Sequence, residues 1–335
     1  MKKLPMIPAP ESFSFRMGEW QGYSNNVRSI IETSIECAEE FIQLQHPVIQ
    51  DHCHAAIRST LFAYFDTYRT PGKPHYIEPE MTRERAVRLM PRSMMNRIGD
   101  KHYLAKMIDE AGLQDVAPKT YYTLEDAVNS GGDPERLMFI KGRAGTRGEQ
   151  VWCVKHADLH KEEVVKNNHI IQENISNPAL FYNRKAVFRF YILIYDKQIF
   201  ISKHGVVVVH GADYDPSVID HEIHVQHNGQ GSEAVRFPFF KLPYMDMWFE
   251  HLKTLIRNLL PILEPVRQRS TRYNYLVIGA DGLPCMDEKV RLIEFNTIPS
   301  LIKPPMVEPV YAPMFGSMML LTVTGLNDNT WIKIT

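Results

Sequence analysis

The chain has 335 residues, of which 44% are hydrophobic and 23% charged, the composition of a globular protein with room for several packed units. Its 38 basic and 39 acidic residues give a net charge of −1, which excludes a net positive field that would draw the whole molecule to nucleic acid or an anionic membrane. No run of about 18 apolar residues occurs, and the four cysteines form no CxxC pair. We therefore expect a cytoplasmic protein with reduced thiols that binds neither nucleic acid nor membrane.

Residues 1–95 predict a helical N-terminal region of unknown role. Apolar residues between Asn26 and His46 recur at the spacing of one helical face. Pro47 restricts the residue before it, so the first helix should end there and a second should begin. The loop residues Thr70-Pro-Gly-Lys-Pro then interrupt the helical pattern.

The remainder of the chain mixes strands and helices without a strict βαβ alternation, which favours α+β packing over a doubly wound sheet. Helices are predicted at Asp100–Gly112 and, as one long amphipathic element, at Met245–Val266. Strands are predicted at Leu137–Lys141, Val151–Val154, Ile170–Ile175, Ala186–Tyr195, Ile199–His210, Tyr273–Ala280 and Lys289–Phe295. Asp196-Lys197 should form the turn of a hairpin between two of these strands.

A glycine-rich segment lies between two predicted strands. It runs Lys141-Gly-Arg-Ala-Gly145-Thr146-Arg147-Gly148. Its glycines allow backbone N–H groups to approach a phosphate closely, and its cationic and hydroxyl side chains add donors. The order of residues is not that of a P-loop. A phosphate cradle and a simple tight turn both account for this segment taken alone.

Three oxygen-bearing side chains fall on two predicted strands near the C-terminal end. Glu294 and Asn296 alternate with Phe295, so they share one face of their strand. Asp281 follows the preceding strand. Carboxylate and amide oxygens suit a hard cation such as Mg²⁺. The sequence thus predicts a metal site here, with a strand edge facing water as the alternative.

Two further segments carry groups that suit a nucleotide. Gln172-Glu173-Asn174-Ile175 ends an apolar strand, where backbone groups can face an adenine edge. Lys101 stands at the start of a predicted helix, from which its ammonium can reach a phosphate. The alternatives are a strand that runs into a loop and a solvated surface lysine.

Taken in order, these segments resemble the motifs of the tubulin-tyrosine-ligase-like branch of the ATP-grasp enzymes. The family's K-x-x-x-G-[ST]-[RK]-G loop is matched by Lys141 to Gly148. Its K-x-D-x-R-x-Y strand is similar to Lys185–Tyr191, with Val187 in the place of the aspartate. Its closing signature G-x-D…E-x-N-x-x-P-S is matched by Gly279–Asp281 and Glu294–Ser300. The resemblance covers roughly residues 88–305.

The resemblance implies an ATP-grasp core in which two α+β subdomains grip ATP. Residues 96–178 would form the central subdomain with its glycine-rich lid, and residues 179–335 the C-terminal subdomain with the metal site. The cofactor-binding residues that it implies are Lys101, Lys141, Gly145, Thr146, Arg147, Gly148, Gln172, Glu173, Asn174, Ile175 and Lys185. Asp281, Glu294 and Asn296 would hold two Mg²⁺ ions, and the catalytic residues would be Arg189, Lys203 and Glu294. Among these, Arg189 would lie at the reaction centre and Lys203 would bind the carboxylate substrate.

The function implied is that of an ATP-dependent carboxylate–amine ligase, which adds an amino-acid donor to a protein or peptide acceptor through an acyl phosphate. Val187 and the segment His224-Val-Gln-His227 depart from the family pattern, the latter from its H-L-T-N motif. The metal ligands are intact while the substrate side has diverged, so the acceptor need not be tubulin. The alternatives are a ligase that makes a small peptide or amide and a nucleotide-binding scaffold without catalysis.

Overall fold

The computed structural model describes residues 87–143, 150–162, 168–225, 234–297, 299 and 306–335, together with residues 33, 34, 36–38, 40 and 41. The seven described residues within the predicted helix of residues 26–46 are all helical. The predicted second helix from Pro47 and the loop at Thr70 lie outside the described residues. The predicted domain boundaries stay predictions.

Strands outnumber α-helices in the described part of the chain. The strands are β1 Arg88–Leu89, β2 Thr120–Tyr121, β3 Leu137–Gly142, β4 Val151–Lys155, β5 His169–Glu173, β6 Leu180–Phe181, β7 Arg184–Tyr195, β8 Gln198–Ser202, β9 Val206–Val209, β10 Val235–Pro238, β11 Asn274–Pro284, β12 Val290–Asn296 and β13 Trp331–Lys333. The α-helices are α1 Lys101–Glu110, α2 Leu124–Val128, α3 His221–His224, α4 Met245–Asn258, α5 Leu260–Arg269 and α6 Ala312–Met319. The π-helical turns Val307–Tyr311 and Leu320–Thr324 flank α6.

The larger of two sheets contains nine of the described strands, with β7 and β11 at its centre. β11 pairs antiparallel with β7 on one side and with β12 on the other. The second half of β7 pairs with β8, the first half with β9, and β9 with β10. Asp196 and Lys197 both have positive φ and form the predicted hairpin turn between β7 and β8. The predicted mixture of helices with antiparallel sheets is confirmed.

The smaller sheet contains four described strands in the order β2-β5-β3-β4, and all neighbours are antiparallel. Met138, Ile140 and Ile171 are buried on it and pack with Ala127 of α2 and Leu159. This cluster is separate from the main hydrophobic core, which lies on the larger sheet. The smaller sheet is therefore packed around a core of its own.

The two faces of β7 have different surroundings because successive side chains point to opposite sides of a sheet. On one face, Phe188 makes edge contacts with Phe239 and with Trp248 of α4, at ring distances of 5.2 and 5.5 Å. We call the other side of the larger sheet the cleft face. On β7 it carries Lys185, Val187, Arg189 and Tyr191.

The cleft face is covered by different elements along its length. At the C-terminal end of β7, the Tyr195 hydroxyl donates a hydrogen bond to the Thr322 carbonyl at 2.8 Å. The Tyr191 ring meets the ring of Tyr311, from the turn before α6, at 6.3 Å. At the N-terminal end of β7, the Lys185 ammonium lies 5.3 Å from the centre of the Phe139 ring on β3. The N-terminal end of this face therefore opposes the smaller sheet, and we call the region between them the cleft.

The prediction of a single strand at Ile199–His210 is wrong, since the chain forms β8 and β9 with a bend between them. Ser202 Oγ accepts a hydrogen bond from the His204 N–H at 3.0 Å, a local bond that competes with strand pairing. Gly205 then lies against β7: a Cβ at this position would be 2.8 Å from the Arg189 carbonyl oxygen. The bend moves the chain from one half of β7 to the other.

The prediction of one helix at Met245–Val266 is also wrong. The segment forms α4 and α5, which meet at Leu259. Pro261 has no backbone N–H to donate to the carbonyl of Arg257, so the ladder of a continuous helix is interrupted there. By contrast, the predicted helix start is confirmed at α1, where Asp100 Oδ1 accepts hydrogen bonds from the N–H groups of His102 and Tyr103.

Among the described residues, none of the helices has both the length and the apolar character that a membrane span requires.

Candidate active site

Three charged side chains form a row across the middle of the cleft face. In the strand register, Asp281 on β11 lies opposite Arg189 on β7 and opposite Glu294 on β12. Directly opposed residues of neighbouring strands project from the same face. These residues were expected to act in one site, and the register brings them side by side.

Arg189 and Asp281 form a bidentate ion pair. The Arg189 Nε and Nη2 groups each donate to one Asp281 oxygen, the Nη2–Oδ2 distance being 2.6 Å. Asp281 is only 2% exposed. Burial acts to lower the pKa of Arg189, but the Asp281 carboxylate raises it, and the net direction is upward. Arg189 is therefore charged, and its two hydrogen bonds to Asp281 fix the orientation of the guanidinium.

Glu294 is held from the helix side of the cleft. The ammonium of Lys101, the first residue of α1, lies 3.2 Å from Glu294 Oε2, and Asn296 Nδ2 donates to Glu294 Oε1 at 3.1 Å. Burial alone would raise the pKa of Glu294. The positive charges of Lys101, Arg189 and Lys141 overcome that effect and hold the pKa at about 2. Glu294 is therefore ionised at neutral pH.

Two lysines are buried in the cleft without an ion-pair partner among the described residues. Lys141 on β3 and Lys185 on β7 are 9% and 4% exposed, and neither ammonium forms an ion pair with another residue in the described ranges. Lys141 lies 5.9 Å and Lys185 5.3 Å from the centre of the same Phe139 ring. Burial lowers the pKa of each lysine to about 8, and each ammonium repels a neighbouring one. Such cations are costly to bury unless an anion compensates them.

The predicted adenine segment is divided between two environments. Gln172 is buried, its Nε2 donates to Thr120 Oγ1 at 2.9 Å, and its Oε1 has no hydrogen-bond partner in the described part of the chain. The Glu173 side chain projects from the opposite face of the strand to Gln172. Its carboxylate accepts a hydrogen bond from the Tyr121 hydroxyl at 2.5 Å and forms an ion pair with Arg136 at 3.2 Å. The Glu173 side chain is thus occupied within the smaller sheet, whereas Gln172 keeps an acceptor for a ligand. Asn174 and Ile175, the next two residues, are half-buried.

Some predicted site residues are not brought to the row. Gly145, Thr146, Arg147 and Gly148 lie outside the described residues, so the predicted phosphate loop is seen only at its flanks. Lys203 is exposed at the corner between β8 and β9, and no ion pair or side-chain hydrogen bond connects it to another residue in the described part of the chain. Its assignment to the carboxylate substrate stays a prediction.

Oxygen donors in this row have the chemistry of a magnesium site. Asp281 and Glu294 supply carboxylates, and Asn296 supplies an amide. Within the described ranges no three His, Cys, Asp or Glu side chains gather as a metal-binding group. A set of two carboxylates and one amide fits Mg²⁺, which keeps several water or phosphate ligands, better than it fits a metal enclosed by protein.

Gly279 leaves the space in which the chain after Asn296 packs. A Cβ at this position would lie 2.7 Å from Pro299 Cβ and 3.5 Å from Arg189 Cδ. We expect Gly279→Ala to displace Pro299 and to lower the free energy of unfolding by about 1–3 kcal/mol. Thermal denaturation would measure the loss of stability, and nucleotide titration would show whether displacement of Pro299 also lowers the nucleotide affinity. An alanine variant with unchanged stability and affinity would show that the close approach of Pro299 is not required.

Two residues of the cleft face were missed by the sequence analysis. Arg236 lies on β10, a strand that was not predicted, and Tyr311 lies in the π-helical turn before α6. Neither belongs to a recognisable motif. Only the pairing of β10 with β9 and the return of the C-terminal segment over β7 bring them to the cleft.

A known protein family matches part of this chain. The model of the tubulin-tyrosine ligase family matches residues 78–227, a range that contains Lys101, Lys141, Lys185 and Arg189 and ends before Asp281. No curated protein matches the chain. The family implies ATP-dependent ligase activity in general, with ATP and usually Mg²⁺. The match to residues 78–227 thus supports the identification of this chain as a tubulin-tyrosine-ligase-like family member.

Proposed function

We propose that the chain is an ATP-dependent carboxylate–amine ligase with an ATP-grasp core, which joins an amino acid to a carboxylate of a protein acceptor. The observation that carries this proposal is the pair of buried lysines, Lys141 and Lys185, which share one aromatic neighbour and have no acidic partner in the described ranges. A polyanion between the two sheets would compensate both charges. A triphosphate has the charge and the length to do so.

The charge balance of the cleft supports the same ligand. Four cations, Lys101, Lys141, Lys185 and Arg189, face two carboxylates, Asp281 and Glu294, so the set carries 4 − 2 = +2. The carboxylates lie beside Arg189 and Lys101, whereas Lys141 and Lys185 lie by Phe139. We assign the phosphates to the lysine end, as the family resemblance implies. The Gln172 acceptor suits a donor group of the nucleoside.

Asp281, Glu294 and Asn296 would hold the magnesium, with two ions in the proposed site. When bound, Mg²⁺ would neutralise phosphate charge and orient the terminal phosphate. The low pKa of Glu294 keeps its oxygens available as ligands throughout the neutral pH range. Arg189 is held in a fixed orientation by Asp281, so its guanidinium is preorganised for charge that develops at the γ-phosphate.

The reaction needs positioning and charge stabilisation more than a protein nucleophile. A carboxylate oxygen of the acceptor attacks the γ-phosphorus, the bond to the bridging oxygen breaks, and ADP leaves with the electron pair. The acyl phosphate is then attacked by the amine of the amino acid, phosphate leaves, and the amine loses a proton. Burial of the site between the two sheets would limit hydrolysis of the acyl phosphate by water.

The identity of the acceptor is the least constrained part of this proposal. Val187, which replaces the family's aspartate, is 5% exposed and lies between Lys185 and Arg189 on the cleft face. The cleft floor is therefore apolar where the family pattern has a carboxylate. We propose that this change alters contacts to nucleotide or substrate and that the acceptor differs from tubulin. A small peptide or amide product and a catalytically inactive scaffold are the competing possibilities.

The proposal is tested by ADP release from Mg-ATP, screened with each of the twenty amino acids in the presence of lysate protein. We expect release to depend on one amino acid, with radiolabelled amino acid recovered in protein. Release that depends on an amino acid but leaves the label in small molecules would favour the small-amide ligase. Nucleotide binding without release under any condition would favour the scaffold.

The two buried lysines predict a characteristic pH dependence of nucleotide binding. Their pKa is lowered from 10.5 to about 8, and a bound triphosphate favours the protonated form. Affinity should therefore be constant below pH 8 and fall at least tenfold between pH 8 and 10 as the ammonium groups lose their protons. Binding in this window should also take up protons, which calorimetry in buffers of different ionisation enthalpy would measure.

The same lysines affect the stability of the nucleotide-free protein. With rising pH, this stability should change in the opposite direction to the nucleotide affinity. Between pH 8 and 10.5 the unfolded chain binds more protons at these positions than the nucleotide-free native chain, so the free energy of unfolding should rise with pH in that window. Lys141→Arg and Lys185→Arg keep the charge without titrating and serve as controls. An affinity that stays constant to pH 10 in the wild-type protein would contradict the prediction.

A further inference from the structure

The cleft face extends past the row of charged residues and carries another cation. On β10, Arg236 is registered with Val208 of β9, and Val208 is registered with Val187 of β7. Opposed residues share a face, so Arg236 projects on the same side as Val187 and its neighbours Lys185 and Arg189. Phe237, the next residue, packs against the main core on the opposite side.

The direction of β7 shows which part of the cleft is available to substrate. A strand rises about 3.3 Å per residue, so Arg189 lies about 13 Å from Lys185, and Tyr191 lies about 7 Å farther on. The Lys185 end faces Phe139 of the smaller sheet, where we place the nucleotide. The reaction centre would then lie near Arg189, and groups beside and beyond Arg189 would meet the substrates.

Tyr311 forms the wall at that end. It is 4% exposed and its ring meets Tyr191 at 90°. Burial raises the pKa of the Tyr311 hydroxyl, and the guanidinium groups of both Arg189 and Arg236 act against that rise. The two arginines are thus close enough to influence the same hydroxyl from different strands.

The floor between the two arginines is apolar. Val187, Val206 and Val208 are all buried on the strands that separate Arg189 from Arg236. A charged group bound over these valines would have little access to water, and its hydrogen bonds to a guanidinium would be strengthened accordingly. Such a site favours a planar anion that can bind a guanidinium with two parallel hydrogen bonds.

From this arrangement we propose that Arg236, together with the Tyr311 hydroxyl, binds the carboxylate of the acceptor, a role that the family resemblance implied for Lys203. The inference rests on the proposed function, because it assumes that nucleotide occupies the Lys185 end. Arg236 would hold the carboxylate over the valine floor and direct one oxygen toward the γ-phosphate near Arg189. Lys203 is instead exposed at the β8–β9 corner.

Direct binding of simple carboxylates to the full chain tests this inference. The probes are N-acetyl-L-glutamic acid α-amide, which has a side-chain carboxylate, and N-acetyl-tetraglycine, which has a C-terminal one. Titration in the presence of Mg-ADP, followed by ligand-observed NMR, should show binding of at least one probe. We expect Arg236→Gln to weaken that binding at least tenfold, as for loss of a charge-assisted hydrogen bond, and Tyr311→Phe to weaken it less.

Separate measurement of Mg-ADP affinity keeps this inference distinct from the proposed function. Arg236→Gln should leave Mg-ADP affinity within twofold of wild type, and Arg257→Gln, an exposed arginine of α4 on the opposite face, should change neither affinity. A wild-type chain that binds no nucleotide would refute the proposed function. Normal nucleotide binding without carboxylate binding, or carboxylate binding lost in Lys203→Gln but retained in Arg236→Gln, would refute the role of Arg236 alone.

Discussion

Replacing Glu294 with glutamine is expected to abolish detectable ligation, a loss of about a thousandfold or more, while the fold is retained. The substitution keeps the size of the side chain but removes a carboxylate that is ionised at neutral pH and lies beside Asp281 and Asn296. The side chains of the ion pair with Lys101 are only 14% and 22% exposed, and the lowered pKa of Glu294 reflects its favourable contacts, so the substitution should cost about 1–3 kcal/mol of stability. ADP release and the near-ultraviolet circular dichroism spectrum would measure the two effects.

The matched control for this variant is Asp287→Asn. Asp287 belongs to the same β11–β12 hairpin, but its carboxylate pairs with Arg291 at 2.7 Å, outside the row of cleft residues. The Asp287→Asn variant should catalyse ligation at the wild-type rate. Unchanged turnover in Glu294→Gln would refute the proposed metal site. Equal losses in both variants would show that the hairpin, and not the Glu294 carboxylate, is responsible.

Breaking the Arg189–Asp281 pair should cause the largest loss of stability that a single side chain of the site can produce. Arg189→Gln leaves the Asp281 carboxylate, 2% exposed, without its cation. An uncompensated buried charge of this kind costs about 3–5 kcal/mol. Urea denaturation should therefore show a lower midpoint with little change of slope, and ligation should be lost as well.

Two further variants separate the ion pair from other causes. Arg189→Met combined with Asp281→Leu removes both charges, so most of the stability should return while activity stays absent. Arg184→Gln breaks a pair with the exposed Asp213 near the start of the same strand and should change the free energy of unfolding by no more than about 1 kcal/mol. If the double variant is no more stable than Arg189→Gln, the loss arises from packing and not from unpaired charge.

Local features of the sequence were sufficient for much of this structure. The helix start at Asp100 is confirmed because capping is decided by a few adjacent residues. The strand at β3 follows from a short continuous apolar run, and the hairpin at Asp196-Lys197 from turn chemistry. Residues on one face of a strand, such as Glu294 and Asn296, are also fixed locally by the two-residue period.

The other features of the site depend on pairing between strands that are far apart in the sequence. The row of Arg189, Asp281 and Glu294 exists because β11 pairs with both β7 and β12 in one register, and chain segments about a hundred residues apart are involved. Glu173 is paired within the smaller sheet, since its partners are Tyr121 of β2 and Arg136, the residue before β3. A one-residue shift of register would reverse which side chains face the cleft, and no short segment encodes that choice.

The sequence by itself therefore determined which residue types could bind a nucleotide and a metal, and along which strands they lie. Only the tertiary structure placed Arg236 and Tyr311 beside them, because β10 reaches the cleft through β9, and Tyr311 through the C-terminal segment that folds back over β7. The periodicity of a strand fixes the face of a side chain relative to its neighbours. The partner strand and the register, which depend on burial of the whole core, fix what that face meets.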